Sequence, residues 1–364
     1  MQHTPEMNRA RIGVIGVGWW GTVGHLEPLA GDPKTELVAV WSRTERKAQE
    51  RAERYGVPHY YTDYRALIDD CELDGVIVAS TPNMHYQQAR YALEHGLHVL
   101  MEKPFVLQAA HANELQRLAQ ERGLLLSVCH PLLFYPPVVQ ARDQIREGVV
   151  GNILLITALF SQRVYDLYQG RVPDRFYAPP GRGDVPRPNA TSYSDPAVVG
   201  GGEGHTQASH IVGALLWLTG LQPASVFARM NNLDTRVDVV NAMTVRFEGG
   251  ALATVAANGL LPARVGSTQL QIQGDQGILG FDRRSGGVYL QTGEDPRPTT
   301  LDVPAGTSAA ERVDGLAAVP KNYVRTILGE EELHVGTDVA INEARILDAA
   351  YRSAASGCEV DIER

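Results

Sequence analysis

Three groups of residues in this sequence have types and spacings that could do chemistry. The first is Gly16-Val17-Gly18-Trp19-Trp20-Gly21, a G-x-G-x-x-G pattern that follows directly on the apolar run Arg11–Gly16. When a strand precedes this pattern and a helix follows, the first glycine permits a tight turn and the second lets backbone approach a pyrophosphate. The third allows close helix–strand packing, and the free N–H groups of the helix start face the anion. The second group is Glu102-Lys103-Pro104, at the end of the run HVLM. Ligands sit at the carboxyl ends of parallel strands, where an ammonium can polarise or orient a reacting oxygen; the same pair also fits a surface salt bridge. The third is His210, which could exchange a proton near neutrality or be a hydrogen-bonded core histidine.

These groups need a scaffold, and the first third of the chain reads as one. Arg11–Gly16, Leu37–Trp41, Gly75–Ser80, His98–Lys103 and Leu124–Cys129 are short apolar runs suited to strands covered on both faces. Helix-length stretches separate them, such as 84–95, where Tyr86, Ala89 and Leu93 share a face and Gly96 follows as a stop. This alternation predicts an α/β unit, a doubly wound parallel sheet of Rossmann type, over residues 1–128. Beyond His130 the pattern changes to a helix over 136–147 and a strand over 152–160. A stretch of little periodicity, 161–199, comes next, then a series of short strands from about 222 (ASVFARM, NAMTVRF, ALATVAAN, TQLQIQG, GGVYLQT). The expectation for 129–364 is an α+β domain with a large, mostly antiparallel open sheet and a terminal helix over 340–355.

Cofactor choice is read about 20 residues beyond the glycine loop, where an acid would hold the ribose 2′-OH of NAD. The residues there are Trp41-Ser42-Arg43-Thr44, without an acid. The hydroxyl of Ser42 and the planar fork of Arg43 can receive a 2′-phosphate, which favours NADP(H), with NAD(H) still compatible. Composition narrows the partners. The 364 residues are 44% hydrophobic and 21% charged, a globular balance with room for about two domains. With 33 Lys and Arg against 42 Asp and Glu, the net charge of −9 argues against a nucleic-acid surface. No apolar run approaches the roughly 18 residues of a membrane span. The start, MQHTPEMNRA, lacks the apolar core of a secretory signal. Cys71, Cys129 and Cys358 are scattered and odd in number, which points to a reducing cytoplasm. His85, His95 and His98 do not converge with a carboxylate at metal-ligand spacing, so no metal is expected.

The sequence resembles the Gfo/Idh/MocA oxidoreductases. The resemblance rests on the GVGWWG loop, Ser80-Thr81-Pro82-Asn83-Met84-His85, Glu102-Lys103-Pro104, and Gly200-Gly201-Gly202 through His210 to Trp217-Leu218-Thr219-Gly220. It covers nearly the whole chain and implies an NAD(P)-dependent dehydrogenase or reductase acting on a hydroxyl or keto carbon of a sugar, polyol or sugar derivative. Ser80, Thr81, Pro82, Asn83, His85, Glu102 and Lys103 would then complete the cofactor site, with Lys103 and His210 as catalytic groups. Thr206, Gln207 and Tyr193 join those two on the substrate side. The second sheet would make a homodimer or homotetramer. One residue departs from the family pattern: Thr206 stands four before the histidine, where relatives carry an Asp. A hydroxyl cannot stabilise an imidazolium as a carboxylate does, and Glu203, two turns back, could supply the charge. Two further readings stay open: a glycosidase of this fold that uses a retained dinucleotide for transient oxidation, and a non-catalytic dinucleotide-responsive protein. The segment 161–199 offers Tyr165, Tyr168, Phe176, Tyr177 and Tyr193 among Arg163, Arg171 and Arg175, groups suited to a carbohydrate or a neighbouring subunit.

Overall fold

The computed structural model describes residues 8–173, 187–189, 191–262, 265–282, 287–293, 299–301 and 309–363. Arg175, Phe176 and Tyr177 lie outside them. Six parallel strands form the first sheet: β1 (Ala10–Ile15), β2 (Thr35–Trp41), β3 (His59–Tyr61), β4 (Gly75–Val78), β5 (His98–Met101) and β6 (Leu126–Val128). Their order is β3-β2-β1-β4-β5-β6. The chain reverses its direction of winding between β1 and β4, which leaves a crevice at their carboxyl ends. Register sets what faces it. Ile15 pairs with Val78, Val78 with Met101 and Met101 with Val128, so four strands end level. The next residues, Gly16, Ala79, Glu102 and Cys129, therefore line one edge. Three backbone bonds lock that edge: Ala79 N–H to Ile15 O (2.8 Å), Glu102 N–H to Val78 O (2.8 Å) and Cys129 N–H to Met101 O (2.7 Å).

Among the described residues the second sheet has nine strands. They are β7 (Ile153–Ser161), β8 (Pro223–Asn231), β9 (Val240–Phe247), β10 (Leu252–Asn258), β11 (Ser267–Gly274), β12 (Gly277–Asp282), β13 (Gly287–Thr292), β14 (Thr299–Leu301) and β15 (Val360–Asp361). The order is β14-β13-β12-β11-β7-β10-β9-β8-β15, antiparallel throughout except for β7 against β10. Residues of β9 alternate strictly between buried and open, the mark of a sheet with one covered face. Helices Ser209–Thr219 and Thr337–Ser356 pack on the covered face, and the latter also packs on helix Ala109–Arg122 of the first unit. The doubly wound parallel sheet and the large antiparallel sheet match the expected α/β class.

Sequence periodicity passes over some elements. Strands β3, β12, β14 and β15 are short or glycine-containing. Segment 161–199 holds the short helices Tyr165–Tyr168, Thr191–Ser194 and Pro196–Val199. Helix Ala309–Ile327 returns to the first sheet: Tyr323 Oη donates to Val76 O (3.2 Å) and Arg325 pairs with Asp32 (3.0 Å). Gly75 makes this return possible, because a Cβ there would overlap the Tyr323 hydroxyl. Gly75→Ala should accordingly destabilise the protein by about 2 kcal/mol through overpacking. In a Tyr323→Phe background the extra cost should shrink by about 1 kcal/mol, a coupling that urea denaturation of the two single variants and the double variant would measure.

Candidate active site

The glycine loop is built as its spacing predicts. Gly16 has φ +109°, and a side chain there would strike the Ala79 carbonyl at 2.5 Å. A Cβ at Gly21 would overlap the carbonyl oxygen of Gly16, whereas a Cβ at Gly18 would meet nothing within 4 Å. The open flank is thus at the second glycine, where a pyrophosphate would approach. The helix that follows winds over Gly21–Leu26 as a π-helix, a rare geometry that recurs at functional sites. This wider turn carries His25 to Glu102, with Nε2 2.8 Å from Oε1 and both groups buried. Trp19 and Trp20, edge to face at 5.4 Å between centroids, stand at the mouth.

Glu102 and Lys103 have different electrostatic fates. Burial alone would raise the Glu102 pKa, but the bond and charge of His25, followed by Lys103, outweigh it and hold the carboxyl below its ordinary value. Burial pushes Lys103 down, opposed by the charges of Glu102, Glu343, Cys129 and Glu203. Its Nζ donates to the carbonyl of Thr206 at 2.7 Å, so the ammonium reaches from the end of the first sheet to the turn before His210. His25, Glu102 and Cys129 also form, among the described residues, a cluster whose three possible ligand atoms lie within 4.8 Å. Glu102 and His25 are there joined by an ordinary hydrogen bond, and the charge of Lys103 lies beside them.

The segment before His210 is anchored by Asp238, which sequence reasoning passed over. Its buried carboxylate accepts from Gly202 N (2.6 Å), Gly204 N (2.9 Å), Asn241 Nδ2 (3.1 Å) and Tyr351 Oη (2.6 Å). Gly204–Ala208 forms a second π-helical turn and runs directly into Ser209–Thr219. That helix is buried along its length except at His210 and Thr219. His210 stacks on Phe160 at 5.5 Å. The Thr206 hydroxyl donates to Gly202 O (2.8 Å) and lies 2.6 Å from Tyr168 Oη, which itself donates to Glu203 (2.8 Å). Burial drives the Glu203 carboxyl well above the carboxylate range, helped by Asp238 and opposed by Tyr168 and Lys103. Glu203 therefore does not bring the charge that Thr206 lacks.

A cavity of about 480 Å³ gathers many of the expected residues. Its walls include Trp19, Trp20, Ser80, Pro82, Glu102, Lys103, Tyr193, Thr206, Gln207 and His210, with Phe160, Tyr135, Gln162 and Arg163 added by the fold. Gly16, Gly18, Gly21, Thr81 and Asn83 lie in the two loops and are not among the wall residues. His85 does not reach the cavity. It is buried, with Nδ1 2.9 Å from Pro104 O and Nε2 3.3 Å from Ser80 O, and so ties the two loops together. Ser42 and Arg43 lie apart at the tip of β2, with Arg43 exposed. Of the remaining residues in 161–199, Tyr168 is buried, Tyr165 bonds Asp234, and Arg163 and Arg171 engage Asp166. Burial raises the Tyr193 phenol to about 12.

A glycine loop at the switch point of a parallel sheet, opening on a cavity closed by a second sheet domain, defines an NAD(P)-binding Rossmann protein of two units. The model of the "Oxidoreductase family, NAD-binding Rossmann fold" matches residues 10–130, and that of the "GFO/IDH/MocA C-terminal domain" matches 138–280. The chain belongs to the Gfo/Idh/MocA oxidoreductase family. It is 34% identical over 161 residues, 44% of this chain and 48% of the relative, to dTDP-3,4-didehydro-2,6-dideoxy-alpha-D-glucose 3-reductase of Actinomadura kijaniata. The chain thus spans about half the length of such curated relatives. D-xylose 1-dehydrogenase (NADP(+)) 2 of Haloferax volcanii is 24% identical over 97% of this chain and 98% of its own. Among solved structures, GenD2 from gentamicin A biosynthesis, in complex with NAD, superposes with a TM-score of 0.77 at 25% identity, covering 100% of this chain and 99% of its own. Among the described residues no helix is long and apolar enough to cross a membrane.

His205 has a structural role, stacked on Tyr351 at 4.4 Å with both ring nitrogens unpartnered, and burial pushes its pKa down to about 4. The unfolded chain takes up this proton near pH 6.5, so stability is full above that value and falls as pH drops toward 4. The loss should amount to about 3 kcal/mol across that window. In His205→Phe, whose ring can still stack, this part of the decline should vanish, as urea midpoints between pH 7 and pH 4.5 would show.

Proposed function

We propose that this protein transfers hydride between a nicotinamide dinucleotide and a hydroxyl or keto carbon of a sugar, polyol or sugar derivative. The observation that carries the reading is the single cavity lined by the tryptophans of the glycine loop, by Lys103 and by His210. The cofactor fits the chain: the flank of Gly18 is open, and the N–H groups of the helix start stand beside it. When bound, the dinucleotide supplies the hydride acceptor or donor. Everything else falls to the side chains. Lys103, held by Glu102 and the Thr206 carbonyl, orients the reacting oxygen and lowers the cost of alkoxide charge. His210 takes the hydroxyl proton, or returns it in the reductive direction. Gln207 and Tyr193 bind hydroxyls on the same wall, and Phe160 with Tyr135 offers rings to the apolar face of a sugar.

The exposed guanidinium of Arg43 and the Ser42 hydroxyl at the β2 tip favour NADP(H), with NAD(H) accommodated. The open face of the second sheet carries Phe227, 37% exposed, and Leu252, 43% exposed, and we assign it to a homodimer or homotetramer contact. The three free thiols suit a reducing cytoplasm.

Two experiments test these assignments. In fluorescence titrations that use energy transfer from Trp19 and Trp20, NADPH should bind more tightly than NADH, and Arg43→Ala should remove the difference. NADH binding as well as NADPH in the unaltered protein would overturn the preference. In a screen of aldoses, inositols and glucosides with the better cofactor, His210→Asn should cut turnover by about 10²- to 10⁴-fold while leaving cofactor affinity unchanged. A variant that keeps its turnover would remove His210 from the chemistry.

A further inference from the structure

His210 is the group asked to gain and lose a proton, yet its own helix brings it no carboxylate. Thr206 engages its hydroxyl with Gly202 and Tyr168, burial pushes the Glu203 carboxyl well above the carboxylate range, and Glu102 bonds His25. Among the described residues, one further fully buried acid bonds a histidine whose ring packs against His210. Glu343, on helix Thr337–Ser356, lies with Oε2 2.5 Å from Nε2 of His130, the second residue beyond β6, and both side chains are fully buried. The His130 ring stands edge-on to His210, 6.3 Å between centroids at 73°.

Helix Ser209–Thr219 makes room for this pair. Gly213 sits three residues past His210 on the same side, and a Cβ there would meet the His130 ring at 2.7 Å and Glu343 Oε2 at 3.0 Å. The pair is poorly satisfied as a structural clamp, because His130 Nδ1 and Glu343 Oε1 both lack partners. Replacing buried polar partners with packed apolar residues is often neutral or stabilising, so stability alone gives little reason for a buried Glu–His contact here. The charge of Glu343 also reaches Lys103.

We propose that His130 and Glu343 are positioning residues for His210, delivering from the terminal helix the negative charge that Thr206 does not provide. The inference rests on the reading of His210 as proton acceptor. When the substrate hydroxyl gives its proton to His210, the imidazolium forms facing an imidazole backed by a carboxylate. In the reverse direction the same charge keeps His210 protonated until the keto oxygen takes the proton. Among the described residues, the other titratable groups that share this cavity wall with His210 are Lys103, Glu102, Tyr135, Arg163 and Tyr193, with Glu203 and Tyr168 bonded behind Thr206. Strand β7 faces it with Phe160.

The test needs no substrate. Full-length protein labelled at histidine Cε1 is titrated by NMR, with and without NADP⁺, and the His210 signal is assigned with His210→Asn. In Glu343→Gln the His210 midpoint should fall by about one pH unit, since a charge at this range is removed from a poorly screened site. Glu343→Asp should recover most of that shift. An unmoved midpoint in a folded Glu343→Gln protein overturns the proposal. Should that variant fail to fold, the unaltered protein decides: the His130 ring signals must report the His210 titration at the same midpoint, and indifference of His130 refutes the coupling. Because no turnover is involved, a shifted midpoint without sugar oxidation would fault the functional reading alone. Turnover with an unmoved midpoint would fault only this inference.

Discussion

The ammonium of Lys103 holds the two halves of this molecule in a working relation. It starts at the last residues of the first sheet and ends on the carbonyl of Thr206, in the turn that leads into the His210 helix. A buried cation is expensive unless its surroundings compensate it, and the compensation here is spread over the fold. Glu102 precedes it in sequence, and Glu343 comes from the terminal helix. Any change in how the second sheet sits on the first would alter the charge balance around this one group. The interface between the halves is thereby part of the electrostatics of the cavity as well as its wall.

Backbone geometry at two places lets that arrangement close. One π-helical turn follows the glycine loop whose Trp19 and Trp20 line the cavity, and the other contributes Thr206 and Gln207 to its wall. The first swings His25 under Glu102, which is how an acid at a strand end stays ionised while buried. The second lets Thr206 present its carbonyl to Lys103 while its hydroxyl is engaged on the other side by Tyr168. Asp238 steadies this turn by collecting two backbone N–H groups, an amide and a phenol. An ordinary helix start would leave those donors to solvent, and here there is none to take them.

Absence of an acid at position 206 is then less a loss than a change of supplier. A helical Asp four residues before a histidine delivers charge along one element. In this chain a fully buried acid among the described residues, 133 residues downstream of His210, meets it through His130. Among the described residues, Glu102 bonds His25, Glu203 accepts from Tyr168 where burial raises its pKa, and Asp238 holds the turn.

The local signals in the sequence were sufficient for five of the six strands of the first sheet and for its loop. Buried parallel strands are continuous apolar runs, and G-x-G-x-x-G acts through the backbone of six adjacent residues, so neighbouring residues carry the whole message. The same holds for the alternating strands β8 to β11 and for the terminal helix. What the sequence could not order was pairing over distance. The parallel contact of β7 with β10, the return of helix Ala309–Ile327 to the first sheet, and the meeting of His130 with Glu343 depend on which surfaces remain uncovered once the local elements have formed. The charge state of Glu203 belongs to the same class. Its residue type promises a carboxylate, and only tertiary burial pushes its pKa well above the carboxylate range.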